Sequence, residues 1–217
     1  MSTALRVSAV VAARDAASHL ERALASIAAQ TQPPQECVVV VGPSRDDTLA
    51  IARAAHGVTV VSQAGRGLAG ARNLGLASTT GDVVAFLDAD DDWHPDKTAS
   101  QVAVLERDDD VLVVTGHMRR VSTAGVAIGD PEPALTPSGV MVRRCAFERF
   151  GPFDARFRIA CDTEWLMRVR EGGGGPVILP DVIMEKTVRP ESLSNDLTAY
   201  RLEMLTVVRE AAARGRS

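Results

Sequence analysis

The first ninety residues of this chain switch repeatedly between two hydrophobic periods, and that alternation constrains the fold more than any single motif. Val7 to Ala12 is a short, nearly continuous apolar run of the kind a buried strand needs. Leu20, Ala23, Leu24, Ile27 and Ala28 then recur at helical spacing until Pro33-Pro34 ends the pattern. Cys37 to Val41 reads as a second strand; Gly42-Pro43 follows, and Ser44 is placed to cap a helix carrying Leu49, Ile51 and Ala54. Val58 to Val61 gives a third strand and Leu68 to Ala77 a third helix, and Gly81 turns the chain into Val83 to Leu87. Strands and helices in this order predict an α/β fold, doubly wound, with a mostly parallel sheet flanked by helices.

Ligands of such sheets sit at the carboxyl ends of the strands. Here those ends are Ala12–Asp15, Gly42–Asp47, Gln63–Asn73 and Asp88–Asp92, the segments where polar and charged residues concentrate. The last is the most telling. Val84-Ala85-Phe86-Leu87 runs straight into Asp88-Ala89-Asp90-Asp91-Asp92-Trp93, four carboxylates within five positions. Like charges that close repel unless a cation or a set of donors neutralises them. A hard divalent ion with oxygen ligands, Mg²⁺ or Mn²⁺, shared with a substrate phosphate, meets that need. An acidic turn exposed to water is the simpler alternative.

Beyond Asp92 the pattern is less regular. Val111 to Val114 and Gly139 to Val142 read as strands, Ser122 to Pro137 as a loop, and Arg143 to Phe147 as the start of a short helix. Thr163 to Arg170 is predicted helical and ended by Gly172 to Gly175. Val177 to Leu179 and Val182 to Val188 read as two short strands. The tail from Leu197 to Ala213 reads as an amphipathic helix with Leu197, Met204, Leu205 and Val208 on one side.

A length of 217 residues suits one sizeable α/β domain. A formal net charge of −4 argues against nucleic acid as a partner. Cys37, Cys145 and Cys161 share no metal-ligand spacing, and an odd number suits a reducing compartment. With no leader or membrane span in view, a cytoplasmic location is expected.

Three segments give the chain a specific resemblance. Gly67-Leu68-Ala69-Gly70-Ala71-Arg72-Asn73-Leu74-Gly75, Phe86 to Trp93, and Phe147 to Arg168 with Gly151-Pro152-Phe153-Asp154 and Cys161-Asp162-Thr163-Glu164 all stand in order. Together, on this strand pattern, they resemble family 2 glycosyltransferases of the GT-A fold over roughly residues 5 to 195. The resemblance implies a single domain. Residues 1–107 would form the nucleotide-sugar half, 108–195 a smaller acceptor-side half, and 196–217 a C-terminal helix.

It also implies an inverting transfer of a sugar from a nucleotide-sugar donor to an acceptor hydroxyl or other nucleophile, dependent on Mg²⁺ or Mn²⁺. Asp90 would hold the metal; Asp88 would take the donor ribose, or the metal through water. Ala13, Arg14, Gly42, Ser44, Asp46, Arg72 and Ala89 would line the donor pocket, and Arg189 would close on the pyrophosphate near Ser192 and Ser194. Asp162 would be the general base. Glu164, two positions on, points about 200° away on a helix and is the fallback base, or else an ion-pair partner for Arg168 at i+4.

The chain departs from the family in several places. Val41 and Gly42 stand where base-reading acids are usual, leaving base recognition to main chain, Asp46 or Arg45. Ala13-Arg14-Asp15 replaces a segment that commonly carries an aromatic residue. The histidines are His19, His56, His94 and His117, none of them near Arg189 in sequence. Arg66 is a further phosphate candidate in a loop. A polysaccharide, lipid-linked sugar, natural product or peptide is the expected range of acceptors, and the C-terminal helix is a candidate homodimer surface. Two alternatives remain: a degenerate GT-A domain that binds a nucleotide sugar or a protein, and a sugar-nucleotide nucleotidyltransferase. The absence of glycine and lysine from Ala12 to Ala17 weighs against the second.

Overall fold

A computed structural model describes residues 4–65, 67–189, 192 and 196–214. Arg66 and Ser194 lie outside the described residues. The first half alternates as the periodicity requires: β1 (Val7–Ala13), α1 (Leu20–Ala28), β2 (Glu36–Val41), α2 (Thr48–Ala54), β3 (Val58–Ser62), α3 (Gly67–Ala77) and β4 (Val83–Asp88). Then come β5 (Asp92–Trp93), α4 (Lys97–Arg107), β6 (Val113–Ser122), β7 (Glu132–Pro133), β8 (Met141–Arg143) and α5 (Arg144–Phe150). The chain finishes with α6 (Cys161–Glu171), β9 (Val177–Val188) and α7 (Leu197–Arg214).

One mixed sheet runs in the order β3-β2-β1-β4-β8-β6-β9-β5, with β7 on β6. Its long ladders, β1–β2, β1–β4, β2–β3 and β6–β9, are parallel. The antiparallel ladders that β8, β5 and β7 make are only two or three residues long.

Successive strand residues face opposite sides of the sheet. Val7, Ala9 and Val11 of β1 and Val83, Ala85 and Leu87 of β4 pack against Leu20, Ala23 and Ile27 of α1 and Val102 and Leu105 of α4. Val10 of β1 and Val84 and Phe86 of β4 face the other way, onto Ala69, Phe147, Trp165 and Val169. Five of the chain's eight aromatic side chains, Phe86, Phe147, Phe153, Phe157 and Trp165, are buried there. Phe147 stacks on Trp165 with centroids 4.5 Å apart, and Phe86 meets Phe153 edge-on at 5.4 Å. Helix α3 lies close on this face because Gly75 has no side chain: a Cβ there would come within 2.2 Å of Val10 Cγ1.

The structure differs from expectation in several places. Strand β6 begins at Val113 and continues to Ser122, well past Val114. The two short strands expected after Gly175 are one, β9, whose pairing with β6 slips between Thr115 and His117, opposite the segment holding Pro180. Proline lacks the N–H a regular ladder needs, so the strand bulges there rather than ending. In α7 the packed residues are Tyr200, Met204 and Val207, at i, i+4 and i+7. Leu197, Leu205 and Val208, expected beside Met204, are exposed, as is Leu202. Among the described residues no helix is long and apolar enough to cross a membrane.

Candidate active site

The parity of β4 decides where its acids go. Asp88 follows Phe86 on the α3/α6 face, and there it meets Arg72. The guanidinium of Arg72 donates to Asp88 Oδ1 at 2.7 Å and to Cys161 Sγ at 3.5 Å, and lies 5.9 Å from the Phe153 ring centroid. Arg72 is buried, so this pair is well shielded from water. Burial pushes the Asp88 carboxyl up, but Arg72 and then Lys186 outweigh it and hold it below its ordinary value. The neighbouring Asn73 grips the Phe153 backbone from both ends, donating to its carbonyl at 2.8 Å and accepting from its amide at 2.9 Å. The Arg72-Asn73 pair thus ties α3 to the β4 acid and to the loop before α6.

Each acid of the cluster has its own cation. Arg189 binds Asp90 Oδ2 through Nη2 and, at 3.1 Å, through Nε. Arg22 donates to Asp92 at 3.0 Å, to the Asp90 carbonyl at 3.4 Å and to Thr187 Oγ1 at 2.9 Å. Asp92 therefore pairs with α1 rather than capping a helix. Asp91 is buried, accepts from Ser138 Oγ at 2.7 Å and the Thr187 amide at 3.3 Å, and faces Lys186 Nζ at 3.7 Å. Burial pushes Asp91 up to about 7 against the pull of Lys186. Ser138 also accepts the Asp88 amide at 3.0 Å, and its carbonyl takes the Trp93 indole N–H at 2.9 Å. One hydroxyl and its carbonyl thereby fix three residues of the acidic turn.

Asp162 is the second residue of α6, whose N-cap is Ala160, so it does not cap that helix. Its carboxylate accepts the Thr163 amide at 2.7 Å. Burial raises Asp162 above the ordinary carboxylate range, opposed by Arg72 and reinforced by the charge of Asp88. Asp162 therefore shares Arg72 with the β4 acid although 74 positions separate them in sequence. The start of α6 is capped from the other end of the chain: Glu203 of α7 accepts the amides of Arg158, Ile159 and Ala160 at 3.0, 2.9 and 2.8 Å.

Glu164, expected as a fallback base or as an ion-pair partner for Arg168, makes the ion pair. Its carboxyl is buried, bound to Arg168 Nε at 2.7 Å and 4.0 Å from Arg214 Nη1, on the far side of α6 from Asp162 as helical spacing requires.

The expected nucleotide ledge lies at the ends of β1 and β2, beside β4: Ala12 pairs with Asp88, and Ala13 with Val41. The Gly42 amide donates to the Ala13 carbonyl at 2.9 Å, and the space beside Gly42 is bounded by Arg14. Asp15 adopts φ 47°, a left-handed conformation that aspartate tolerates better than most residues. Its amide donates to Ser44 Oγ at 3.1 Å and its carboxylate accepts the Arg45 amide at 2.8 Å, so the two strand ends brace each other.

Two expected donor residues also have structural engagements of their own. Asp46 accepts from Thr48 Oγ1 at 2.5 Å, the Thr48 amide at 3.1 Å and the Ala17 amide at 2.9 Å, which makes it a brace for the start of α2. The Ala89 side chain is in the core, leaving only its main chain for a ligand.

Sequence reasoning missed four residues here. Lys186 feels the charges of Asp91, Asp88, Asp90 and Asp162 and is held above its ordinary pKa by them, Asp91 foremost. His19, remote in sequence, comes close enough to Arg189, Asp90, Arg22 and Asp92 for all four charges to act on it; burial and then Arg189 lower its pKa. Ser138 and Glu203 are the others. None sits in a motif, and only sheet register and helix packing bring them in.

Among the described residues no three His, Cys, Asp or Glu side chains are grouped to hold a metal ion by themselves. Asp90 and Asp88 offer two carboxylates, and the rest of a shell would be phosphate oxygen and water. That donor set fits Mg²⁺ or Mn²⁺ arriving with a phosphorylated ligand rather than a metal caged by protein.

A parallel αβ half ending in an acidic turn, with a shorter mixed half carrying a second acid against it, defines a GT-A type domain. The chain matches the model for Glycosyl transferase family 2 across residues 8–157, well over half its length, and belongs to that family. An uncharacterized glycosyltransferase of Nostoc sp. is 36% identical over 184 residues, covering 73% of this chain and 57% of that protein. The chain thus spans little more than half of that relative. The succinoglycan biosynthesis protein ExoO of Rhizobium meliloti is 29% identical over 96% of this chain and 68% of its own length. Among solved structures, the mannosyltransferase PcManGT of Pyrobaculum calidifontis, in complex with GDP-Man and Mn²⁺, superposes with a TM-score of 0.76 at 25% identity, over 96% of this chain and 64% of that one. S. aureus TarS 1-349 in complex with UDP-GlcNAc gives 0.75 at 20% identity, over 88% and 61%, a likeness of fold alone.

Proposed function

We propose that this chain transfers a sugar from a nucleotide-sugar donor to an acceptor nucleophile with inversion, in the cytoplasm, where nucleotide sugars and free thiols such as its three cysteines coexist. The observation that carries the reading is the shared environment of Asp88, Asp90 and Asp162 around Arg72 and Lys186. The β4 acids and the α6 acid belong to one site, and they differ in electrostatic role.

Asp88, held ionised by Arg72, orients the donor ribose. Asp90, with Asp88, would hold Mg²⁺ or Mn²⁺, which supplies Lewis-acid neutralisation of the leaving diphosphate. Arg189 adds a cation on the same side. Asp162 takes the acceptor proton; burial raises its pKa and so makes it a better base than an ordinary aspartate. The main chain of Ala13, Gly42 and Ala89, with Arg14 and Ser44, forms the nucleoside side. Exposed Leu197, Leu202, Leu205 and Val208 support a homodimer through α7.

Thermal-shift measurement against UDP-, GDP-, dTDP- and CDP-sugars, with and without Mn²⁺ or Mg²⁺, tests the reading. Stabilisation by one nucleotide class only with metal supports it, and a flat response to all of them sinks it. A second reading, a GT-A domain that binds a nucleotide sugar without turnover, is favoured by the missing base-reading acids at Val41 and Gly42. Metal-dependent release of free sugar from the donor would exclude it.

A further inference from the structure

The acidic turn and Asp162 bring five carboxylates into one small region: Asp88, Asp90, Asp91, Asp92 and Asp162. Among the described residues four cations answer them, and three are already committed. Arg72 is buried between Asp88, Cys161 and Phe153. Arg22 is spent on Asp92, the Asp90 carbonyl and Thr187. Arg189 binds Asp90 through two nitrogens.

Lys186 is different. Its closest carboxylate oxygen, on Asp91, is 3.7 Å away, beyond a good hydrogen bond, and its side chain keeps 27% exposure. Its ammonium has three donors, is set on β9 among four carboxylates and is bonded closely to none of them among the described residues.

With five acids and four cations the site is close to neutral, so a lone divalent ion would be repelled by nearly as much charge as attracts it. A nucleotide diphosphate changes that balance, since it brings the anionic oxygens that both an ion and an ammonium need. Among the described residues, Lys186 is the one of these four cations that makes no close carboxylate bond and can turn to them.

Building on the glycosyltransferase reading, we propose that Lys186 is a donor-binding residue: it neutralises the acid cluster in the donor-free protein and turns to the donor's diphosphate when the nucleotide and its metal bind. Two effects of Lys186→Met follow. Nucleotide diphosphate binding in the presence of Mn²⁺ weakens by about tenfold, the worth of one charge-assisted contact. Binding of Mn²⁺ alone tightens, because a competing positive charge is gone. Lys186→Arg, which keeps the charge, restores most of the nucleotide affinity.

The measurements are calorimetric titration of the intact chain with UDP, GDP, dTDP and CDP plus Mn²⁺, and electron paramagnetic resonance of free Mn²⁺ without nucleotide. Lys186→Met leaves buried Asp91 uncompensated, so the pair Asp91→Asn with Lys186→Met replaces it if the single variant does not fold. Unchanged nucleotide affinity in the charge-removed variant, beside a wild type that binds, overturns the proposal and leaves the glycosyltransferase reading standing. A wild type that binds none of the four nucleotides overturns both.

Discussion

Glu203, near the middle of the last helix, accepts the Ala160 amide at 2.8 Å and so fixes the N-cap residue of the helix that carries Asp162. With the Ile159 and Arg158 amides on the same carboxylate, a helix start that has no side-chain cap of its own is satisfied from α7. Removing the carboxylate leaves three donors unmet. Glu203→Ala is expected to lower stability by about 1–3 kcal/mol and to reduce turnover more than donor affinity. Urea denaturation and a kcat-against-KM comparison check it. Loss of donor affinity with turnover per bound donor intact would count against a role in placing Asp162.

Asp162→Asn is expected to cut turnover by about a hundredfold or more while leaving nucleotide binding in place. Only the ionised form of Asp162 accepts a proton, and burial raises its pKa. The wild-type rate should therefore fall as pH drops through a value above the ordinary carboxylate range. A pH–rate profile whose acid limb lies at or below pH 4 would remove Asp162 as the base.

Arg72→Met leaves Asp88 without its guanidinium in a low-dielectric site. The expected loss is about 3 kcal/mol at pH 7, the lower part of the range for breaking a buried pair, because Asp88 is partly open to solvent. Arg72→Lys should recover little, since one ammonium cannot span Asp88 and Cys161 together. The folded pKa of Asp88 is depressed, so the pair's contribution is present above the unfolded aspartate value and lost as pH falls through the folded one. Denaturation midpoints of wild type and variant should converge in acid.

Lys97 is fully buried, with Nζ donating to Gln101 Oε1 at 2.6 Å and lying 4.5 Å from the Trp93 ring centroid. Burial pushes it down to about 7. Between pH 7 and 10 the unfolded chain binds a proton here that the folded chain does not, so this lysine makes stability rise with pH across that window, by on the order of 1 kcal/mol per unit. Lys97→Met should be more stable than wild type at pH 7 and lose that slope. Parallel curves for the two proteins from pH 7 to 10 would mean Lys97 stays charged in the fold.

At Gly42 an added Cβ would sit 3.5 Å from Arg14 Cβ, ordinary contact, so Gly42→Asp is tolerated sterically. A carboxylate there is expected to raise affinity for a uridine nucleotide by several-fold, roughly the value of one good hydrogen bond. No change for any nucleotide in calorimetric titration would mean the base binds elsewhere.

The donor-side sheet was legible because its signal is local: five or six apolar residues make a buried strand wherever they occur, and an acid at the end of such a run must leave the core. Asp88 and Asp90 were singled out that way, with the family resemblance adding Arg72, Asp162 and Arg189. Lys186 and His19 were not found, since they reach the acids through sheet order and loop packing. Arg189 and Asp90, 99 positions apart, meet by the same route. Lys97 could have been found. With Gln101 and Leu105 it forms an i, i+4, i+8 line down the buried face of α4, an odd place for a lysine. In α7 hydrophobicity itself misled: the leucines draw the eye, but the helix packs through Tyr200, Met204 and Val207.

The two-residue repeat of β4 has a consequence for how such a chain can change length. Phe86 and Asp88 share one sheet face with α3 and α6, while Leu87 shares the other with α1 and α4. One residue inserted within the strand would send Asp88 toward the aliphatic side and leave Leu87 facing Arg72, so length there changes in even steps or not at all. The return chain after β6 is held by the same rule: the Ser122 and Ile128 amides donate to the Val126 and Arg120 carbonyls, and Val121 bridges Ala127. Only the turn between Ser122 and Val126 can change length while the phase of the sheet, and the charges it carries to one face, stay as they are.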